Sequence, residues 1–275
     1  MYLAPRFLFV YNGGSYRKGG VRMTVTFLAH SGFLVEWDDF YTLFDFYKGD
    51  LPALDAGKPL LVFSSHSHED HFDPRIFTEV FARYPNVSYY LSRDIRLTER
   101  RREKIGVTDE MFAHVTSLRP DEVLVTEAGG KPLTIRTVKS TDIGSAFLLQ
   151  SGGKLVFHAG DLNWWHWVSE GKAYCSNMAA IYKRAIEKLR AAVESEAFDN
   201  GCTPRIDVAM LPLDPRLDDG FGMGIEYLLK CVDVETVFPM HMWEHFEWID
   251  RYRAEHPQHA EKIIRISRSG ECFTL

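Results

Sequence analysis

The chain has 275 residues, enough for one large domain or two small ones with a sizeable core. Its formal net charge of -6 argues against a nucleic-acid partner held by a general basic field, and no apolar run approaches the roughly 18 residues that span a membrane. Cys175, Cys202, Cys231 and Cys272 lie far apart, which excludes a CxxC metal or redox signature and a disulfide framework and fits a reducing cytoplasm.

Residues 12–20 are Gly-rich and basic. They read as a flexible leader or as sequence upstream of a start at Met23, so residues 1–22 are set apart from a single domain over 23–275. Residues 21–29 alternate and are β-branched, which predicts a strand; His30-Ser31-Gly32 turns the chain, and 33–37 returns as a second strand. A third strand over 40–46 ends near Asp45, and the three suggest an antiparallel meander. Residues 59–63 are continuously apolar and read as a buried strand, followed by Ser64-Ser65 and then His66-Ser67-His68-Glu69-Asp70-His71. Asp73-Pro74 signals a helix over 74–84, with Ile76, Phe77, Val80 and Phe81 at helical spacing.

The run 66–71 therefore sits in a loop at the end of a buried strand, where α/β proteins place their chemistry. Three imidazoles and two carboxylates in six positions suit zinc, iron, manganese or nickel, and a solvated surface loop has no reason to hold them.

Further along, 87–91 predicts a strand and Ser92 the cap of a helix through Lys104, whose cations read as a solvated face. Short strands are expected at 113–115, 122–125 and 133–136. A hairpin joins 146–149 to 154–157 across Ser151-Gly152-Gly153 and feeds His158-Ala159-Gly160-Asp161. Residues 177–198 form the strongest helix, with Ile181, Ala185, Leu189 and Val193 on one face. Then follow a strand at 206–211, a helix at 224–231, a strand at 236–240 ending at His241, a helix at 244–255, and strands at 263–267 and 272–275. This order fits an α+β domain of two packed β-sheets with helices on the outer faces.

Three strand ends now carry metal-type residues: the run 66–71, Asp161 and His241. In order and spacing over 23–275 the chain resembles the metallo-β-lactamase superfamily, with its HxHxDH run, later Asp and late His. The early Phe27-Leu28-Ala29-His30-Ser31-Gly32-Phe33 resembles the branch of L-ascorbate-6-phosphate lactonase-like and N-acylphosphatidylethanolamine phospholipase D-like hydrolases. The resemblance implies an αββα sandwich with a metal site at one sheet edge. Carried over, His66 and His68 serve a first metal ion with a third His, Asp70, His71 and His241 serve a second, and Asp161 bridges them.

The third His of the family belongs between about 130 and 150, where this chain has none. Asp142 is the candidate to replace it, as ligand or in the surroundings; otherwise it is a turn residue beside Gly144. His30 is a further candidate, as ligand or substrate contact, against a turn histidine bonded to backbone. Asp45 suits an acceptor for the N–H of a metal-binding His. His158, three before Asp161, reads as structural. Trp164 and Trp165, in the run 162–167, read either as an aromatic wall contacting substrate or as packing, and Met240, Met242, Trp243 and Phe246 as an apolar rim. Arg216 is a candidate for an anionic substrate group, or a surface salt bridge.

The expected function is a hydrolase in which a metal-activated water attacks an ester, lactone or phosphodiester of a small molecule, with Asp70 or Asp161 orienting the water and moving a proton. No G-x-S-x-G nucleophile is present. One or two divalent ions are expected, zinc first, with manganese, iron or nickel as alternatives. The competing readings are a redox iron protein and a non-catalytic metal binder with a degenerate first site. The expected partner is a small-molecule substrate, with no general nucleic-acid or membrane binding; homo-oligomerisation is left open.

Overall fold

A computed structural model describes residues 23–200 and 203–275, with side chains described outside 197–200; the leader expected at 1–22 and Cys202 lie outside the described residues. The strands are β1 (Thr24–Ala29), β2 (Gly32–Glu36), β3 (Tyr41–Phe44), β4 (Leu60–Ser64), β5 (Val87–Ser92), β6 (Val115–Leu118), β7 (Val123–Ala128), β8 (Lys131–Lys139), β9 (Ser145–Ser151), β10 (Lys154–His158), β11 (Ile206–Pro212), β12 (Val234–Met240) and β13 (Glu271–Thr274). They make one sheet in the order β13-β1-β2-β3-β4-β5-β6 and another in the order β12-β11-β10-β9-β8-β7.

Alternation along the strands of the first sheet sorts its side chains into two cores. Phe27, Phe33, Val35, Phe44, Leu61 and Phe63 point toward the second sheet, where Phe63 meets Phe147 and Phe33 meets Phe238. Leu28, Leu34, Leu43 and Val62 pack outward with Ile76, Phe77 and Val80 of α1 (Arg75–Thr78) and α2 (Val80–Arg83). On the other side, α5 (Gly171–Asn200) lays Tyr182, Ile186, Leu189 and Val193 on the second sheet, beside α6 (Met223–Cys231) and α7 (Glu247–Glu255). The result is the α+β arrangement read from the sequence: two mixed sheets face to face with helices outside. No helix among the described residues is long and apolar enough to cross a membrane.

Several local expectations are corrected. The helix over 74–84 breaks at Glu79 into α1 and α2. Ser92 ends β5 instead of capping a helix; the loop after it is held by Asp94, which accepts from the Ser67 N–H (2.8 Å). Helix α3 (Glu99–Ile105) starts instead at Thr98, whose hydroxyl accepts from the Arg101 N–H. The strand expected at 113–115 starts later and runs on as β6: Ala113 ends α4 (Asp109–Ala113), which Thr108 caps, His114 closes that helix, and only Val115 lies in the strand. Helix α7 begins at Glu247, not Glu244, because Trp243 and Glu244 have φ of 53° and 67°. The strand expected at 263–267 reduces to a bridge between Ile263 and Val237, since the Arg253 guanidinium takes the Ala260 and Ile263 carbonyls.

Pairing directions decide where the site forms. Strands β3, β4, β5 and β6 run parallel, as do β10, β11 and β12, while β1–β2–β3 and β8–β9–β10 are antiparallel. The C-terminal ends of β1, β3, β4, β8, β10, β11 and β12 consequently gather at one edge of the sandwich. Two backbone hydrogen bonds tie the sheets there: Ser145 N–H donates to the Ser65 carbonyl (3.0 Å) and His241 N–H to the His30 carbonyl (3.1 Å).

Gly144 stands at this junction with φ of 77°, and a Cβ on it would lie 2.1 Å from the Ser65 carbonyl oxygen. Gly144→Ala is expected to destabilise the protein by about 2–3 kcal/mol in urea denaturation. Gly130, with φ of 75° but nothing within 4 Å of its Cβ position, serves as control, and Gly130→Ala should cost distinctly less.

Candidate metal centre

The edge collects His30 from the β1–β2 turn, Asp45 after β3, the run 66–71 after β4, Asp142 after β8, Asp161 after β10, Asp214 after β11 and His241 after β12. His30, Asp45 and His241 all adopt positive φ (51°, 42° and 65°), a concentration of backbone strain typical of functional sites.

Asp45 is the buried base of the site. Its Oδ1 accepts from the Ser65 N–H, and its Oδ2 accepts from the Ser65 hydroxyl and from His71 Nδ1, all at 2.7 Å. Ser65 Oγ is also 3.0 Å from His66 Nδ1. Burial alone would push the Asp45 carboxyl up, but His158 and His71 outweigh it and hold the group below its usual range. Fixing the proton of His71 on Nδ1 leaves its Nε2 lone pair aimed into the site.

His241 is held in the same way from the second sheet. Its Nδ1 lies 2.9 Å from Asp214 Oδ2, and Asp214 is gripped by Arg216 through Nε (2.9 Å) and Nη2 (2.5 Å). Against the cost of burial, His241 and Arg216 bring the Asp214 carboxyl down to about 2.

The free ends of these groups converge. Asp161 Oδ1 is 3.1 Å from His71 Nε2 and 3.4 Å from His241 Nε2, while its Oδ2 is 3.6 Å from His66 Nε2. Asp70 Oδ2 lies 3.3 Å from His30 Nε2, 3.7 Å from His71 Nε2 and 4.0 Å from His241 Nε2. His68 Nδ1 is 3.0 Å from His66 Nε2 and 3.7 Å from Asp142 Oδ2. Burial opposes ionisation of Asp161 and Asp70, yet neighbouring imidazoles hold both carboxyls far below the usual range. Desolvation lowers His30, and lowers His66 to about 4; at His71 desolvation is outweighed by Asp161 and Asp45, which raise it. Burial and the nearby Asp161 charge push the Asp142 carboxyl up.

The donors fit divalent cations. His30 Nε2, His71 Nε2 and Asp161 Oδ1 are buried with no hydrogen-bond partner, each a cost of about 1–3 kcal/mol that a cation would offset. A tetrahedral ion with bonds near 2.0 Å separates its ligands by about 3.3 Å, close to most of the distances above.

His158 lies beneath the site, between the sheets. It stacks on Phe44 (4.9 Å, 4°), its Nε2 donates to the Ser31 carbonyl (2.9 Å), and its Nδ1 accepts from the Gly160 N–H. Burial lowers its pKa.

The aromatic residues divide between the two readings that the sequence left open. Trp164 does not line the mouth; it packs on Tyr182 and Tyr227 of α5 and α6. Trp165 is buried, donates its indole N–H to the Asp161 carbonyl (3.0 Å) and backs His241 from 5.5 Å. The exposed aromatic at the mouth is Trp243, 4.5 Å from the His30 ring. Arg216 does not present a free fork to an anion, because Asp214 engages it; its guanidinium lies over Trp243 and Trp167.

Sequence reading missed Ser65, Asp214 and the glycine contacts. Ser65 precedes the run and Asp214 closes a strand end, which was the available signal, but neither residue type alone announces a supporting role. Gly144 and Gly160 let the second sheet close on Ser65 and His66, and Thr141 fastens the Asp142 loop by donating to the Asn163 carbonyl (2.7 Å).

A family model described as β-lactamase superfamily domain matches residues 24–170. Curated protein sequences give no significant match. Among solved structures, Igni18, a metallo hydrolase from Ignicoccus hospitalis, is 20% identical with a TM-score of 0.55, covering 92% of this chain and 98% of its own. YhfI from Bacillus subtilis, a metallo-β-lactamase fold protein, is 16% identical with a TM-score of 0.55, covering 92% and 99%. CmlA, a diiron β-hydroxylase from Streptomyces venezuelae, is 12% identical with a TM-score of 0.55, covering 92% of this chain and 54% of that one.

The depressed pKa of His66 has a consequence for the metal-free protein. It sits at about 4 when folded against 6.5 as the reference. Between those values the unfolded chain binds more protons, so this contribution to stability is lost as pH falls from 6.5 toward 4. The urea midpoint should climb across this window in the metal-free wild type, and less steeply in His66→Asn.

Proposed function

The chain belongs to the β-lactamase superfamily, and from that premise we propose that it is a metal-dependent hydrolase of small-molecule esters, lactones or phosphodiesters. The observation that carries this reading is the convergence of imidazole nitrogens on Asp161, whose two oxygens face His71 and His241 on one side and His66 on the other, with His71 Nε2 and Asp161 Oδ1 buried without a hydrogen-bond partner. His66, His68, Asp70, His71, Asp161 and His241 would hold the metal, with zinc the first expectation from the mixed imidazole and carboxylate donors. Such a cation, when bound, acts as a Lewis acid on the electrophilic oxygen and lowers the pKa of water to about 7.

The remaining work falls to the chain itself. Asp45 and Asp214 keep the Nδ1 protons of His71 and His241, so that both rings present Nε2 to the site. Asp70 is a partly exposed carboxylate of the cluster, held ionised by His30 and His71, and is placed to orient the attacking water and take its proton. Trp165 backs His241 from below and Trp243 shields one side of the mouth. The Arg216–Asp214 pair spends its charge on orienting His241, and the exposed groups beside the donors are Trp243, Asp70, His68 and Asp142, which suits an uncharged or singly charged acyl or phosphodiester group better than a polyanion.

A panel of p-nitrophenyl esters, lactones and bis(p-nitrophenyl) phosphate tests the proposal. Turnover of at least one class is expected, abolished by chelation, restored by zinc, and lowered about 100- to 10,000-fold in kcat by Asp70→Asn. Activity indifferent to chelator would sink it. Iron retained through purification, with substrate oxidation in place of hydrolysis, would favour the redox alternative.

A further inference from the structure

We infer that the donors form two metal sites of unequal strength, and that His30 supplies the third imidazole of the stronger one. This rests on the metal-dependent reading above. The inner set is His30, Asp70, His71 and His241, and the outer set is His66, His68, Asp142 and Asp161; within each set the donor atoms lie within 4.8 Å of one another.

The inner set is built to hold still. Its three imidazoles are buried, and each is fixed by something outside the set or by the backbone. His71 has Asp45 and His241 has Asp214. His30 sits in a turn whose carbonyl accepts from the His241 N–H, with its ring 4.2 Å from that of His241. Its Nε2 is buried without a hydrogen-bond partner and points at Asp70 from 3.3 Å.

The outer set is looser. His66 is buried and steadied by Ser65, but the side chains of His68 and Asp142 are 51% and 46% exposed. Among the described residues no group outside the site orients His68, and the Asp142 carboxylate makes no hydrogen bond. Asp161 brings its Oδ1 closer to His71 and His241 than its Oδ2 comes to His66. Orienting partners are worth about 10- to 100-fold in metal affinity, so the outer site is weaker by about that factor. Two carboxylates against one also shift it toward harder cations such as manganese. The resemblance assigns the third imidazole to the ion held by His66 and His68; in this chain the imidazole-rich set is the other one.

Zinc alone, titrated into the metal-free full chain against a chromophoric chelator, tests the inference, with metal content measured after gel filtration. One equivalent should survive filtration, and a second should bind about 10- to 100-fold more weakly. His30→Asn keeps a residue type that tolerates positive φ and should lose the retained equivalent. Asp142→Asn and His68→Ala, at half-exposed positions, should keep it and lose only the weak one. Imidazole 15N resonances of the wild type at one equivalent of zinc decide the role of His30 even if that variant does not fold: His30, His71 and His241 should shift and His68 should not. Two equivalents of equal affinity, a retained equivalent in folded His30→Asn, or an unshifted His30 would overturn the inference while leaving the hydrolase reading intact. A wild type that binds no zinc would overturn both.

Discussion

A carboxylate buried as deeply as Asp45 must have its charge answered on several sides, or it would protonate or disfavour the fold. Here the answer comes from the Ser65 N–H and hydroxyl and from His71 Nδ1. Each partner is thereby fixed. Ser65 steadies His66 of one donor set, and His71 anchors the other, so one charge at the foot of β3 sets the orientation of histidines on both sides of Asp161. Asp214 repeats the device from the second sheet at His241, with Arg216 in turn balancing Asp214.

The site exists because two sheets meet at a shared edge. Donors on β4 and its loop come from the first sheet, while Asp161, Asp214 and His241 come from the second. The junction demands close approach: Gly144 and Gly160 press against Ser65 and His66 where no Cβ fits. It also demands strained backbone at His30, Asp45 and His241. Such strain persists only where the surrounding packing over-determines it. Phe44, Phe63, Phe147 and stacked His158 provide that packing directly beneath the site.

The rim is less polar than its residue types suggest. Arg216 is the obvious cation there, yet Asp214 engages its fork and two indoles cover its faces. Lys48 is likewise paired, with Glu244 across the mouth at 2.6 Å. Substrate contacts near the metal donors therefore fall to Trp243 and to partly exposed Asp70, His68 and Asp142.

The run His66–His71 was legible from sequence alone because adjacency in the chain already concentrates the donors, and the apolar stretch before it marks a strand end. Alternation over 21–29 likewise marked the first strand, and the continuous apolar stretch 59–63 marked a strand buried on both faces. Local start signals were less legible: the helix expected from Ser92 is capped at Thr98, and the break at Glu79 left no mark. What only tertiary structure decided is the partnership of groups far apart in the chain. His30 joins Asp70, His71 and His241, Asp142 faces His68, Asp214 holds His241, and Trp164 turns away while Trp243 reaches the mouth. The physical reason is directional. Composition tells which atoms can bind a cation or stack on a ring, but the direction in which a side chain leaves a strand end depends on how the two sheets cross and on the left-handed backbone that their contact imposes.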